Sequence, residues 1–428
     1  MNFSPRHLFP ALMLMLLAAF CTQAQTRYAG GDISLLPQYI DAGAKYFDHD
    51  GKPVAEFLPW CHQEGMNVMR VRLFVNPEKY KELHANDANS DTKYDANACQ
   101  SMEYILPLCK DIVDAGMNLM LDFHYSDTWA DPAKQWTPID WEGLDDDQLC
   151  DKIYQYTKQT LLTLKDAGIT PAFIQPGNEI SYGMLWGKLG SYDLKKTFMG
   201  SNANWDRLGR LLGRAIEACR EVAPEAKIII HTERVAQINV LTNFYDKMRS
   251  LGVDYDIIGL SYYPFWHGDM AQLSAALSAL EKNFPTKNIM IVETGYALKW
   301  QVPYPDIADH TSVWTISDAG QKKFAEDLVA TLEKHPAVNG LIWWWMEYNP
   351  YNTKLEGWYN APLFDPTTGR ASSAFKVICS FATGGDAGIG SAAADGCEPE
   401  QWFDMQGRPV HKSHPGLIIS KNKKIFNL

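Results

Sequence analysis

Several things are missing from this 428-residue chain, and each absence removes a class of function. After the first two dozen residues no apolar run reaches the roughly 18 residues that a membrane-spanning helix needs. No GxGxxG or Walker turn follows the first strand-like segment, which argues against a doubly wound nucleotide-binding sheet. No GxSxG elbow occurs, so a serine esterase lacks its nucleophile. Basic residues are in deficit, 39 against 51 acidic, for a net charge of −12. That excludes nucleic acid and anionic membrane surfaces as partners and weakly disfavours a polyanionic substrate. Cysteine is sparse and scattered. Cys21 falls in the leader described next, and Cys61, Cys99, Cys109, Cys150, Cys219, Cys379 and Cys397 have the spacing of neither a disulfide framework nor a zinc site. They read mostly as small buried apolar residues.

The N-terminus has the pattern of a signal peptide over 1–24. Arg6 and His7 precede the apolar run from Ala11 to Phe20, and Thr22-Gln-Ala24 suits cleavage. Cys21 raises a lipoprotein, but Phe20 stands where a small residue is needed. The expectation is an exported, soluble protein (secreted, periplasmic or at the cell surface), and a monomer by default.

From about Tyr28 to Ala382 short β-like runs alternate with amphipathic helical stretches. The strand candidates are Tyr28–Ile33, Asn67–Phe74, Asn118–His124, Phe173–Pro176, Lys227–His231, Ile257–Tyr262, Asn288–Glu293 and Gly340–Trp345. Several helices end in glycine just before the next strand, at Gly65, Gly116 and Gly168. This is the pattern of an α/β fold, a (β/α)8 TIM barrel over 28–382, whose chemistry belongs at the carboxyl ends of the strands. A Gly/Ala-rich linker (383–396) and a short β-rich tail (397–428), read as a pair of hairpins, complete the chain.

Polar residues gather at those strand ends. Strand 4 runs from Ala172-Phe-Ile through Gln-Pro-Gly into Asn178-Glu179, and strand 7 is Ile289-Met-Ile-Val-Glu293-Thr. Glycoside hydrolysis needs two carboxylates, one to protonate the leaving oxygen and one to attack or to activate water. A glutamate at the end of each of two strands supplies both. Fourteen Trp and twenty Tyr are many, and stacking on sugar faces is one use for them beyond core filling.

With those glutamates located, the motifs resemble glycoside hydrolase family 53, the endo-β-1,4-galactanases. Gly30-Gly-Asp32-Ile-Ser34, Arg70-Val-Arg72-Leu-Phe-Val-Asn-Pro77 and Leu121-Asp-Phe-His124-Tyr-Ser-Asp127-Thr-Trp129-Ala-Asp131-Pro132 are similar to its first three strands. Gly177-Asn-Glu179, Gly259-Leu-Ser-Tyr262-Tyr263-Pro264 and Val292-Glu293-Thr follow in family order. The resemblance implies a retaining enzyme acting on β-1,4-galactan or arabinogalactan, with Glu179 as acid/base and Glu293 as nucleophile. Arg72 is then the ionic partner of Glu293, and Asn178 the donor to the sugar 2-hydroxyl. His124 bonds either substrate or Asp122. A strand-6 tyrosine, Tyr262 or Tyr263, touches the nucleophile. Trp344 is the sugar platform, with Trp343 and Trp345 as the alternatives that strand alternation leaves open. Glu233 and Glu347 read as structural or subsite carboxylates. Some bacterial relatives hold calcium between strands 7 and 8, but Asp306-Ile-Ala-Asp309-His310 lacks the dense oxygen ligands calcium prefers, so neither metal nor cofactor is expected.

Two rivals stand beside this reading. A mannanase, xylanase or glucanase could use the same barrel and the same pair of strands. A non-catalytic glycan-binding barrel would have lost one of the glutamates, and both are present.

Overall fold

On several strand candidates alternate positions are apolar near the start and polar near the end, as in Val68 then Arg70, Met120 then Asp122, Phe173 then Gln175 and Ile229 then His231, a pattern that suits strands that close on themselves. In the computed structural model they do: eight parallel strands form a closed barrel in the order β1 to β8. They are β1 (Tyr28–Asp32), β2 (Val68–Leu73), β3 (Asn118–Phe123), β4 (Phe173–Pro176), β5 (Lys227–Thr232), β6 (Ile257–Tyr262), β7 (Asn288–Thr294) and β8 (Val338–Trp343). The structure describes residues 25–89, 91–299, 309–353, 355, 361–384 and four short strands within 402–427. The leader, Asp306, Cys397 and nearly all of the linker lie outside these residues.

The floor of the barrel is an apolar cluster of Val68, Met120, Phe173, Ile229, Ile257, Met290, Val292 and Ile342, all buried. Glycine makes room for it. A Cβ on Gly340 would come 2.4 Å from Met290, and one on Gly259 would come 2.6 Å from Ile229. Two residues further along, the inward positions become Arg70, Asp122, Gln175 and His231, all fully buried. Outside the ring, helices such as Met102–Asp114, Asp146–Asp166 and Trp205–Val222 lay apolar faces on the strands. Ser101 caps the first of these through the Tyr104 amide, and Asp145 with Gln148 forms a reciprocal capping box on the second. Gly65, Gly116 and Gly168 take the positive φ (111°, 80° and 78°) that turns each helix back toward the next strand. Among the described residues Cys61, Cys109, Cys150, Cys219 and Cys379 are buried free thiols, and Cys99 is a partly buried one.

Two departures from regular strand geometry bear on the site. Pairing between β6 and β7 slips after Leu260–Ile291, so that Ser261 faces Glu293 and Val292 is the extra residue. The bulge lets Val292 fill the floor while the adjacent Glu293 still reaches the barrel mouth. At the other departure β8 stops at Trp343, short of the expected Trp345, because Trp345 adopts a left-handed φ of 54°.

The chain divides into two compact units between Gly385 and Asp386. The second contains Trp402–Phe403, Pro409–Val410, Gly416–Ser420 and Lys423–Asn427, paired antiparallel as two linked hairpins. No described helix is long and apolar enough to cross a membrane.

Candidate active site

A cleft of about 740 Å³ opens at the carboxyl end of the barrel, and both Glu179 and Glu293 line it. Glu179 stands just past β4, where Gly177 (φ 100°) turns the chain and Glu179 itself is left-handed (φ 48°). Tyr125 and Trp345 make the same departure past β3 and β8 (φ 48° and 54°). Bulky residues rarely adopt this conformation unless the surroundings over-determine it.

Glu293 is held from two sides. Arg70 lies 2.9 Å from its Oε1, and the Tyr263 hydroxyl donates to Oε2 at 3.3 Å. Tyr263 is therefore the strand-6 tyrosine of the site; Tyr262 points away and donates to the Gly268 carbonyl. The expected partner of Glu293, Arg72, is corrected to Arg70. Both arginines face inward, one register step apart, and the difference lies in depth. Arg70 starts about 6.6 Å lower, and its side chain spans that rise to bring its guanidinium level with Asp32 (2.9 Å), Asp122 (2.8 Å) and Glu293. Arg72 ends higher. It stands 3.5 Å from Asp32, with its guanidinium 4.8, 5.7 and 5.2 Å from the ring centres of Trp129, Trp344 and Trp345.

Glu179 has a different environment. Ser261 donates to its Oε1 at 2.6 Å, and the Ser261 oxygen lies 2.8 Å from His231 Nε2. The Glu179 amide, whose direction the backbone sets, donates to His231 Nδ1 at 3.4 Å. Nδ1 also meets Gln175 Nε2 at 2.9 Å and Asn178 Oδ1 at 3.0 Å. Burial holds His231 neutral, well below its ordinary pKa. Oε2 remains as the atom for an acid proton.

The two carboxyls differ in charge preference. Burial, then the negative charge of Glu293 and of Glu233, pushes Glu179 well above the usual carboxylate range. Burial also lifts Glu293, to about 7, with Arg70 pulling it back toward ionisation. The arrangement favours a protonated Glu179 beside an ionised Glu293.

Asn178 lines the cleft, its Oδ1 accepting from Arg70 (2.9 Å) and its Nδ2 donating to the Ala130 carbonyl (2.8 Å). His124 lines the cleft, with Nε2 3.0 Å from the Asp122 carboxylate and Nδ1 accepting from the Ala130 amide. Trp344 is the half-buried member of its triplet and lines the cleft. Trp345 lines it too, because the alternation of β8 has already ended; Trp343 is buried, its indole donating to the Ala361 carbonyl. Glu233 lines the cleft, whereas Glu347 is fully buried beside Leu35, whose amide donates to it at 2.9 Å. Ser261 and His231 were in view only as strand-end residues. Their spacing to Asn178-Glu179 becomes visible once strands 4, 5 and 6 are neighbours in the ring.

The sequence matches the description "Glycosyl hydrolase family 53" over residues 28–378. It is 32% identical over 331 residues to an arabinogalactan endo-β-1,4-galactanase A of Emericella nidulans, covering 76% of this chain and 85% of that one. Among solved structures it is similar to the GH53 catalytic domain of Ignisphaera aggregans, with 29% identity, TM-score 0.70, and 82% and 95% of the two chains covered. It is also similar to a fungal β-1,4-galactanase, with 27% identity, TM-score 0.66, and 83% and 99% covered. With a carboxylate pair at the ends of β4 and β7 in one cleft and the match running through the whole barrel, the chain belongs to glycosyl hydrolase family 53.

Proposed function

We propose that this protein is an exported endo-β-1,4-galactanase that hydrolyses the galactan of type I arabinogalactan, the pectin side chains, with retention of configuration. One observation carries the reading: Glu179 and Glu293, on two strands of one barrel, share a cleft in which Arg70 draws Glu293 toward ionisation while burial and neighbouring negative charge hold the proton on Glu179. The galactanase names of the relatives supply the substrate.

Ionised Glu293, steadied by Arg70 and Tyr263, attacks the anomeric carbon while Glu179 gives its Oε2 proton to the departing oxygen. In such enzymes the two carboxyl groups stand roughly 5–5.5 Å apart. Burial keeps the Glu179 pKa high, but attack turns Glu293 into a neutral ester, so the part of the rise due to its charge is gone and the pKa falls. Glu179 then takes a proton from water, which releases the sugar from Glu293. Asn178, anchored through Oδ1 by Arg70, offers Nδ2 to the sugar 2-hydroxyl. Trp344 lies under the sugar being cleaved, with Arg72 behind it at 5.7 Å. Export through the 1–24 leader, a monomeric state and independence of metal and cofactor belong to the same reading.

The test is product release from linear β-1,4-galactan by wild type and Glu293→Ala, with the anomer followed by NMR. Short β-configured galacto-oligosaccharides from wild type alone are expected. Cleavage of mannan, xylan or glucan but not galactan would overturn the substrate and keep the mechanism. Binding without cleavage of any of them would overturn the enzyme.

A further inference from the structure

The ring order divides the barrel mouth unequally. Between β4 and β7 lie β5 and β6 on one side and β8, β1, β2 and β3 on the other. A chain threaded between the two carboxylates therefore has one wing over β5–β6 and the other over the longer arc. Trp344, Trp345 and Trp129 line the longer arc and Trp266 the shorter one; with Trp344 under the sugar being cleaved, as proposed above, that sugar belongs to the longer arc. On that reading the leaving sugar belongs over β5 and β6.

Glu233 stands there, just past β5, lining the cleft and only 8% exposed. One of its oxygens is fully used: Oε1 accepts from the Ser181 hydroxyl at 2.5 Å and pairs with Arg234 Nε at 2.9 Å. Arg234 is itself fixed, lying 4.1 Å over the Tyr182 ring and donating to Ser181 at 3.0 Å. The other oxygen, Oε2, is buried and has no hydrogen-bond partner among the described residues. Leaving a buried carboxylate oxygen unmatched is costly, and at the wall of a binding cleft a turn of the carboxylate about its Oε1 contacts would bring that oxygen to a ligand hydroxyl.

We infer that Glu233 forms the leaving-group subsite, its Oε2 accepting a hydrogen bond from a hydroxyl of the first sugar beyond the scissile bond. The inference rests on the galactanase reading for the identity of that sugar and on the ring order for its direction. Ser181 and Arg234 hold Oε1 and so limit the carboxylate to a small turn in meeting the sugar's hydroxyl.

The variant Glu233→Gln tests this, since it keeps an oxygen for Ser181 and Arg234 and puts an amide donor where the free acceptor was. Two substrates are compared: a β-1,4-galacto-oligosaccharide, which has a sugar in that subsite, and an aryl β-galactobioside, whose leaving group is a phenol. Because removing the Glu233 charge also lowers the pKa of Glu179, both substrates are followed across pH and compared at their plateaus. There, losing one hydrogen bond should lower kcat/KM on the oligosaccharide by about 10- to 100-fold, with the aryl substrate changed less than about twofold. An equal loss on both substrates would overturn the inference, because Glu233 would then be acting through Glu179 or through the fold. No loss on either would overturn it too. If wild type cleaves neither galactoside, the galactan reading fails, and the same ratio measured on whichever β-1,4-linked glycan is cleaved decides the role of Glu233.

Discussion

Arg70→Lys is the substitution that puts most of the site's electrostatics at risk. One guanidinium serves four groups without exposure to water: Asp32 through one terminal nitrogen, and Asp122, Asn178 and Glu293 through the other. Lysine keeps the charge but has a single ammonium, which cannot occupy both prongs of the fork. Glu293 is the partner at the far end of the reach and is expected to lose its contact. A neighbouring cation is worth about 1–3 pKa units to a carboxylate. Glu293 starts at about 7, half ionised at neutral pH. Raising it by one to two units leaves roughly 10% to 1% ionised, a loss of about 5- to 50-fold in kcat/KM at pH 7 that recovers as pH rises. Stability falls by about 1.5–3 kcal/mol for the lost charged hydrogen bond, read as a lower Tm by calorimetry. The assay is kcat/KM on linear galactan across pH at constant ionic strength. The acidic limb should move to higher pH in Arg70→Lys and stay nearly in place in Arg72→Lys. An even loss at every pH, with the limb unmoved, would refute the electrostatic account of Arg70.

Two further outcomes follow from named contacts. Tyr263→Phe removes the hydrogen bond to Glu293 Oε2, and kcat should drop by about tenfold or more with KM little changed; a raised KM at constant kcat would assign Tyr263 to substrate binding instead. Glu347 is lifted from 4.5 to about 8 by burial, with the charge of Asp32 adding to it. Between those values it is protonated when folded and ionised when unfolded, so the unfolded chain binds fewer protons and stability declines as pH rises from about 4.5 to about 8. Glu347→Gln should flatten the Tm-against-pH curve in that window, and curves that stay parallel to wild type would contradict the assignment.

The barrel was legible because its signals are local: apolar runs of strand length, amphipathic helices and the glycines at 65, 116 and 168 that end them. The glutamate pair was legible because Asn178-Glu179 follows one strand and Glu293-Thr294 ends another. Alternation could not separate Arg70 from Arg72, since both point inward and only the length of the side chain against the rise of the strand decides which reaches Glu293. It misled at β8, where the chain leaves the strand at Trp343 and both following tryptophans face the cleft. The bulge in β7 has no local signature in Ile289-Met-Ile-Val-Glu293, because it is a mismatch between two strands. The Ser261–His231 contact with Glu179 likewise joins three separate strands and has no counterpart along the chain.

The left-handed backbone at Glu179 ties the protein's heat resistance to its turnover. Held by a residue with a full side chain, that conformation costs about 1–3 kcal/mol, and glycine or asparagine would adopt it more easily. A laboratory lineage selected for survival at high temperature alone would therefore gain by replacing Glu179, and on the proposed mechanism would become a sturdier barrel that no longer cuts. Screens that intend to harden this scaffold need to score hydrolysis in every round.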